Sequence, residues 1–251
     1  MRGATPLVFS SVVLLACVQN AKLPDQGEQQ ATFLALLNSN SIVREEFYSS
    51  QSATVVVASG SACDELTIVE GMLQVNRDAE VPISFGIGAV LNGGSIVITA
   101  FHVVDGHYKS CILGRGDNNL FKSAAFVVWC SKKDDLAILA LDTTVPFSFK
   151  WSEAVEIGED VWTLGRVSPV GGTVTAIKRK SGSSAVLVHS TLKLTRGDSG
   201  SPLINASGEI VAVNSRAKFR GIFSPRVFRT ISSRPSTSIR AGIFETSCNA
   251  P

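Results

Sequence analysis

Charge, histidine, aromatic rings and long apolar runs are all scarce in this 251-residue chain. Charged residues make up 18%, and 23 Lys and Arg face 21 Asp and Glu, for a formal net charge of +2. A balance this close to neutral gives no general attraction to nucleic acid. After residue 17 no apolar run reaches the ~20 residues of a membrane-spanning helix. The five cysteines include no close pair of the kind that binds zinc, so no metal site is expected. No repeat period is visible.

From Thr54 onward, short runs rich in Val and Ile alternate with turns of Gly, Ser, Asn and Asp. The runs lie at 54–57, 83–91, 95–100, 123–130, 136–141, 161–164, 172–177, 185–188, 202–204 and 210–213. Many short strands at this spacing predict an all-β barrel or sandwich. A loosely helical pattern covers 31–49, and 18–30 are polar. Broken patterning around Pro146 marks an internal boundary near 143–158.

The N-terminus reads as an export signal rather than as fold. Met1-Arg2 is a short positive region, and an apolar stretch runs to Leu14-Leu15-Ala16-Cys17. That ending resembles the bacterial lipobox, which implies lipidation at Cys17. The expected organisation is a lipoprotein signal peptide at 1–16, a tether and N-terminal extension at 17–52, and a folded domain at 53–251. Export implies an oxidising compartment, where Cys63, Cys111, Cys130 and Cys248 can form disulfides. Four cysteines allow three pairings. The expected one joins Cys111 to Cys130, across a turn between two strands, and Cys63 to Cys248, near the two ends of the fold.

The most informative stretch is Arg196-Gly197-Asp198-Ser199-Gly200-Ser201-Pro202-Leu203. A serine hydroxyl is a poor nucleophile at neutral pH, so Ser199 needs a base, and the base needs an orienting group. Only His102, His107 and His189 are available. His102 follows an apolar strand in Thr99-Ala100-Phe101-His102-Val103-Val104. His107 lies in a polar turn, and His189 sits in an apolar strand as a structural residue. Asp135 opens the strand Leu136-Ala137-Ile138-Leu139, with Asp134 as its solvated neighbour or a weaker alternative to it. The hydrolase elbow Gly-x-Ser-x-Gly is broken by Ser201 and requires the histidine after the serine, so that alternative is set aside.

The three segments and their order resemble the trypsin-like serine peptidases, of a bacterial lipoprotein type. The resemblance covers roughly 53–248. It implies two six-stranded antiparallel β-barrels with the active site in the cleft between them. It also implies an endopeptidase with catalytic His102, Asp135 and Ser199, and an oxyanion hole formed by the N–H groups of Gly197 and Ser199. Neither a cofactor nor a metal is needed. By the same resemblance Lys193 lies at the base of the primary pocket, where it would favour an acidic side chain. Ser215, Arg216 and Ala217 line the cleft, and the segment at Gly242 forms its opposite wall.

Some features depart from the digestive enzymes of that family. No cysteine follows His102, and no Ile-Val-Gly-Gly-like start exists whose freed ammonium could pair with Asp198. Arg166 is a candidate partner for Asp198 instead. With so few residues after Cys248, no appended peptide-binding domain is expected. Residues 215–240 are rich in arginine and read as a solvated basic loop. Arg115-Gly116-Asp117 and the sequon Asn205-Ala206-Ser207 read as turns. The expected partners are a protein or peptide substrate and the membrane through a lipid anchor alone, with no nucleic acid and no second subunit. The expected place is the cell envelope or the exterior. A rival reading is a catalytically silent surface lipoprotein that uses the fold to bind protein.

Overall fold

The structure is a computed structural model that describes residues 53–60, 66–69, 72–75, 84–115, 120–164, 169–179, 181–194, 197–218, 229–242 and 248. The readings made for 1–52, Cys63, Gly116-Asp117 and Arg166 lie outside those residues. The β-branched runs fold as strands because Val and Ile suit a pleated, half-buried surface. In chain order the strands are β1 (Thr54–Ser59), β2 (Leu66–Val69), β3 (Met72–Val75), β4 (Ser84–Leu91), β5 (Ile96–Thr99), β6 (Lys109–Arg115), β7 (Leu120–Ser131) and β8 (Leu136–Leu141). They continue as β9 (Asp160–Leu164), β10 (Pro169–Arg179), β11 (Val186–Ser190), β12 (Pro202–Ile204), β13 (Ile210–Lys218) and β14 (Arg229–Arg234). Among the described residues there are also two one-turn α-helices, α1 (Phe101–Val104) and α2 (Thr237–Arg240), and a 3-10 turn at Asn92–Gly94.

Two closed barrels result. The first has the order β1-β4-β5-β8-β7-β6 and the second β10-β11-β14-β13-β12-β9, with β2 and β3 paired as a separate hairpin. This is the expected two-barrel architecture, and closure removes the open sheet edges. Val57, Ile98, Ile112 and Leu139 are fully buried in the first barrel. Val161, Val188, Leu203 and Val211 form a second cluster. Trp162, Leu164, Ile204, Ile210 and Val213 of the second barrel join the cluster of the first, so apolar packing is continuous across the seam.

Between β8 and β9 the chain crosses from one barrel to the other. The Phe149 N–H donates to Val90 O at 2.8 Å, and Ser152 N–H donates to Ile210 O at 2.9 Å. The crossing is thus fastened first to one barrel and then to the other.

Three expectations are corrected. Cys130 is bonded to Cys248, which overturns both expected pairings, Cys111 with Cys130 and Cys63 with Cys248, and Cys111 is itself in a disulfide. In the β6–β7 register Cys111 faces Ala124. Cys130 lies six residues further along β7, about 20 Å at the strand rise, beyond disulfide reach. The basic stretch is not all solvated loop, because β14 lies within it and its Arg234 is buried. Asp134 is not solvated either; it is 7% exposed.

Candidate active site

β5 runs up to Thr99, whose hydroxyl donates to Ile87 O at 2.6 Å. Ala100 is extended and begins α1, and the Val103 N–H returns to Ala100 O at 3.1 Å. Val103 and Val104 are buried beneath the turn. The opposite face carries His102, whose side chain is 46% exposed. One apolar turn therefore anchors the imidazole while leaving its ring accessible.

Asp135 ends the turn between β7 and β8 with a left-handed backbone, φ 54°. Its carboxylate accepts the His102 backbone N–H at 3.0 Å and lies 2.9 and 3.0 Å from His102 Nδ1. A carboxylate only accepts, so Nδ1 carries the proton and Nε2 is left as an acceptor. The Ser215 hydroxyl donates to the same carboxylate. Burial pushes the Asp135 carboxyl up. The hydrogen bonds from His102 and Ser215 outweigh burial and hold it below the ordinary carboxylate value.

Ser215 sits where the β13–β14 register shifts, between Asn214 and Arg216. An irregularity of this kind re-aims a side chain. The resemblance puts Ser215 on the cleft wall, whereas its buried hydroxyl is turned to Asp135.

Ser199 lies in the loop before β12. Gly197 and Gly200 have φ of 95° and 85°, a conformation that costs glycine little. Ser199 O accepts the Ile87 N–H at 2.8 Å, and the Gly200 N–H donates to Asn214 O at 2.7 Å. A Cβ on Gly200 would fall 2.0 Å from Ile87 O and 2.2 Å from Thr99 Oγ1. The loop is thus pressed against β4 and the end of β5, beside the start of α1. The fold brings the segments of His102, Asp135 and Ser199 to one seam.

Beneath the loop lies a buried polar network that the sequence reading missed. Asn214 Nδ2 donates to Thr163 Oγ1 at 2.7 Å and to Ser201 Oγ at 3.0 Å. The Ser232 hydroxyl donates to Asn214 Oδ1 at 2.6 Å, and that of Ser201 to Asp198 O at 2.6 Å. Buried polar groups satisfied in this way fix one loop geometry. Its sequence signal is faint: small polar residues interrupting apolar strands.

The remaining candidates are more dispersed. Lys193 is half-buried after β11, in the segment leading to the loop. Ala217 pairs with Thr230 in the sheet, and Gly242 lies on the exposed turn after α2. His107 N–H closes the turn after α1 on Val104 O. His189 pairs with Ile231 inside the second barrel. The Asn205 carboxamide accepts the N–H groups of Ser207 and Glu209, folding the sequon as a turn.

The family described as the trypsin-like peptidase domain matches residues 86–213. A probable periplasmic serine endoprotease, DegP-like, from Rhizobium meliloti is 32% identical over 155 residues, 57% of this chain and 29% of that protein. The magnetosome formation protease MamE of Magnetospirillum gryphiswaldense is 26% identical over 144 residues, 53% of this chain and 19% of that protein. The chain thus spans less than a third of the length of these relatives. Among solved structures, the Rv3671c protease from M. tuberculosis in its active form aligns with TM-score 0.61 and 18% identity, covering 100% of this chain and 96% of that one. The serine endoprotease from Yersinia pestis aligns with TM-score 0.57 and 17% identity, covering 80% and 64%. At these identities the structural likeness speaks to the fold.

Proposed function

Because the chain belongs to the trypsin-like peptidase domain family, we propose that it is a serine endopeptidase of the cell envelope acting through His102, Asp135 and Ser199. The observation that carries this reading is the Asp135 carboxylate 2.9 Å from His102 Nδ1, with the Ser199 loop fastened to the strand beside α1.

The chemistry follows from the hydrogen bonds. With its Nδ1–H donating a hydrogen bond to the Asp135 carboxylate, His102 presents Nε2 as the base that takes the Ser199 proton. The hydroxyl oxygen then attacks the peptide carbonyl, and the Gly197 and Ser199 N–H groups receive the developing oxyanion. The imidazolium is stabilised by Asp135 and returns its proton to the leaving amine. Water repeats the sequence to release the acyl group. A fluorophosphonate probe should label the wild type and not Ser199→Ala, which should retain its fold and lose hydrolysis. Substantial peptide cleavage by that variant sinks the assignment.

Two finer features belong to the same reading. The lipobox-like Cys17 supports a lipid-anchored enzyme, and the periplasmic description of the DegP-like relative supports one facing the periplasm or the exterior. Acyl labelling that survives Cys17→Ser would remove the anchor. Lys193, Ala217 and Gly242 are the proposed substrate-lining residues, while the Ser215 hydroxyl serves Asp135. A peptide library showing no preference for Asp or Glu before the scissile bond would remove the role given to Lys193.

A further inference from the structure

The turn between β7 and β8 carries Asp135, and the second barrel grips it at more than the Asp135 carboxylate. Asp134 is 7% exposed, although it lies outside the hydrogen bonds of the proposed triad. Its carboxylate accepts the hydroxyl of Ser183, from the connection between β10 and β11. It also accepts the hydroxyl of Ser131, from its own turn, at 2.9 Å. Its backbone carbonyl accepts the Ser233 hydroxyl, from β14, at 2.6 Å. The Ser183 hydroxyl is held in place by the Ala185 N–H, which donates to it at 2.9 Å.

One residue of the first barrel is therefore clasped by two elements of the second. The next residue is Asp135, in a left-handed conformation that few non-glycine residues adopt. Such a conformation persists only where its surroundings over-determine it. The carbonyl held by Ser233 belongs to the peptide unit that joins the two aspartates. Fixing that peptide fixes the direction in which the Asp135 side chain leaves the backbone.

We propose that Asp134, with Ser183 and Ser233, forms an inter-barrel clasp that positions Asp135. The proposal rests on the reading of His102, Asp135 and Ser199 as the catalytic groups. Asp134 touches neither substrate nor His102, so it is a positioning residue. The clasp ties catalytic competence to correct seating of the two barrels, because the base and its orienting group sit on one and the nucleophile on the other.

The test compares Asp134→Ala, Asp134→Asn and Ser183→Ala in the full chain, with kcat, KM, pH profile and melting temperature measured for each. Asn keeps an acceptor for Ser183 and supplies a donor to Ser131, so it preserves the clasp. Asp134→Ala should lose about 10- to 100-fold in kcat with KM little changed, since a small misplacement of a catalytic group is enough for that. The acid limb of kcat/KM should move to lower pH, because a misaimed carboxylate stabilises the imidazolium less. Ser183→Ala, which removes a single bond, should show the same changes in smaller measure, and Asp134→Asn should restore most of the kcat.

The proposal is overturned if folded Asp134→Ala or Ser183→Ala melts earlier while kcat and the pH limb stay as in the wild type. It is equally overturned if Asp134→Asn is as slow as the alanine variant. Should Asp134→Ala not fold, Ser183→Ala decides alone. Hydrolysis surviving in Ser199→Ala would instead overturn the catalytic reading, so the two failures are distinguishable.

Discussion

Asp135 is the residue on which the most constraints converge. It takes up a left-handed backbone and accepts from a backbone N–H, an imidazole and a serine hydroxyl. Asn at this position keeps the shape but can offer an N–H where an acceptor is needed, which favours the wrong imidazole tautomer. Asp135→Asn should therefore lower kcat by about 10⁴-fold while the protein stays folded, measurable by initial rates alongside circular dichroism. The same hydrogen bonds make folding depend on pH. The carboxyl is held below its ordinary value of 3.8, so the native state binds fewer protons than the unfolded chain as pH falls past that value. Stability from Asp135 is full above about pH 4 and is lost as pH drops through the lower native value. Urea melts from pH 6 to pH 2 should show this loss, with a shallower slope in Asp135→Asn. The proposed His102, Asp135 and Ser199 stood out in the sequence because three short motifs follow one another in the order of the family they resemble. The role of Asp134 did not, because Ser183 and Ser233 lie 49 and 99 residues further on.

At the scale of elements, β14 shows why part of the second barrel was hidden. Its sequence, Arg-Thr-Ile-Ser-Ser-Arg, lacks the apolar alternation that marked β1, β5 and β8. Each hydroxyl has a specific buried acceptor instead: Thr230 on Leu192 O, Ser232 on Asn214 Oδ1 and Ser233 on Asp134 O. Arg234 ends the strand with its guanidinium on three backbone carbonyls, those of Val211, Ser152 and Glu153. Burial, followed by the nearby charge of Arg240, pushes its pKa down to about 10. Arg234 remains charged at neutral pH and binds the barrel crossing to β13. Arg234→Met keeps a comparable apolar stem but leaves those carbonyls without their donor. The expected loss is about 2–4 kcal/mol in a denaturant melt, from removing bonds to a charged group at a buried site. A variant as stable as the wild type would show that water replaces the guanidinium at no cost.

For the whole molecule, strand spacing predicted only an all-β barrel or sandwich, and the two barrels with a cleft between them came from the resemblance to the trypsin-like peptidases that the three motifs and their order carry. The disulfide framework was not legible. Flanking a turn says nothing about how far along a strand a cysteine sits, and here Cys130 passes Cys111 by about 20 Å. The actual bridge joins the end of β7 in the first barrel to Cys248, beyond the last strand of the second. Its sequence separation is 118 residues, and loss of a native bridge commonly costs about 2–5 kcal/mol. Cys248→Ser should melt correspondingly earlier under oxidising conditions.

That bridge also makes the peptide path between the barrels redundant. The crossing exposes Glu153, Ala154, Glu156, Ile157 and Gly158 to solvent, and an exposed loop is where a foreign protease cuts first. A single cut there leaves the Cys130 fragment and the Cys248 fragment joined through sulfur. The nicked protein should migrate as one species without reductant and as two with it. It should also keep its activity, because the apolar packing across the seam and the hydrogen bonds that place His102, Asp135 and the Ser199 loop lie outside the exposed part of the crossing. In surroundings rich in proteases, this would be an enzyme that survives its own severing.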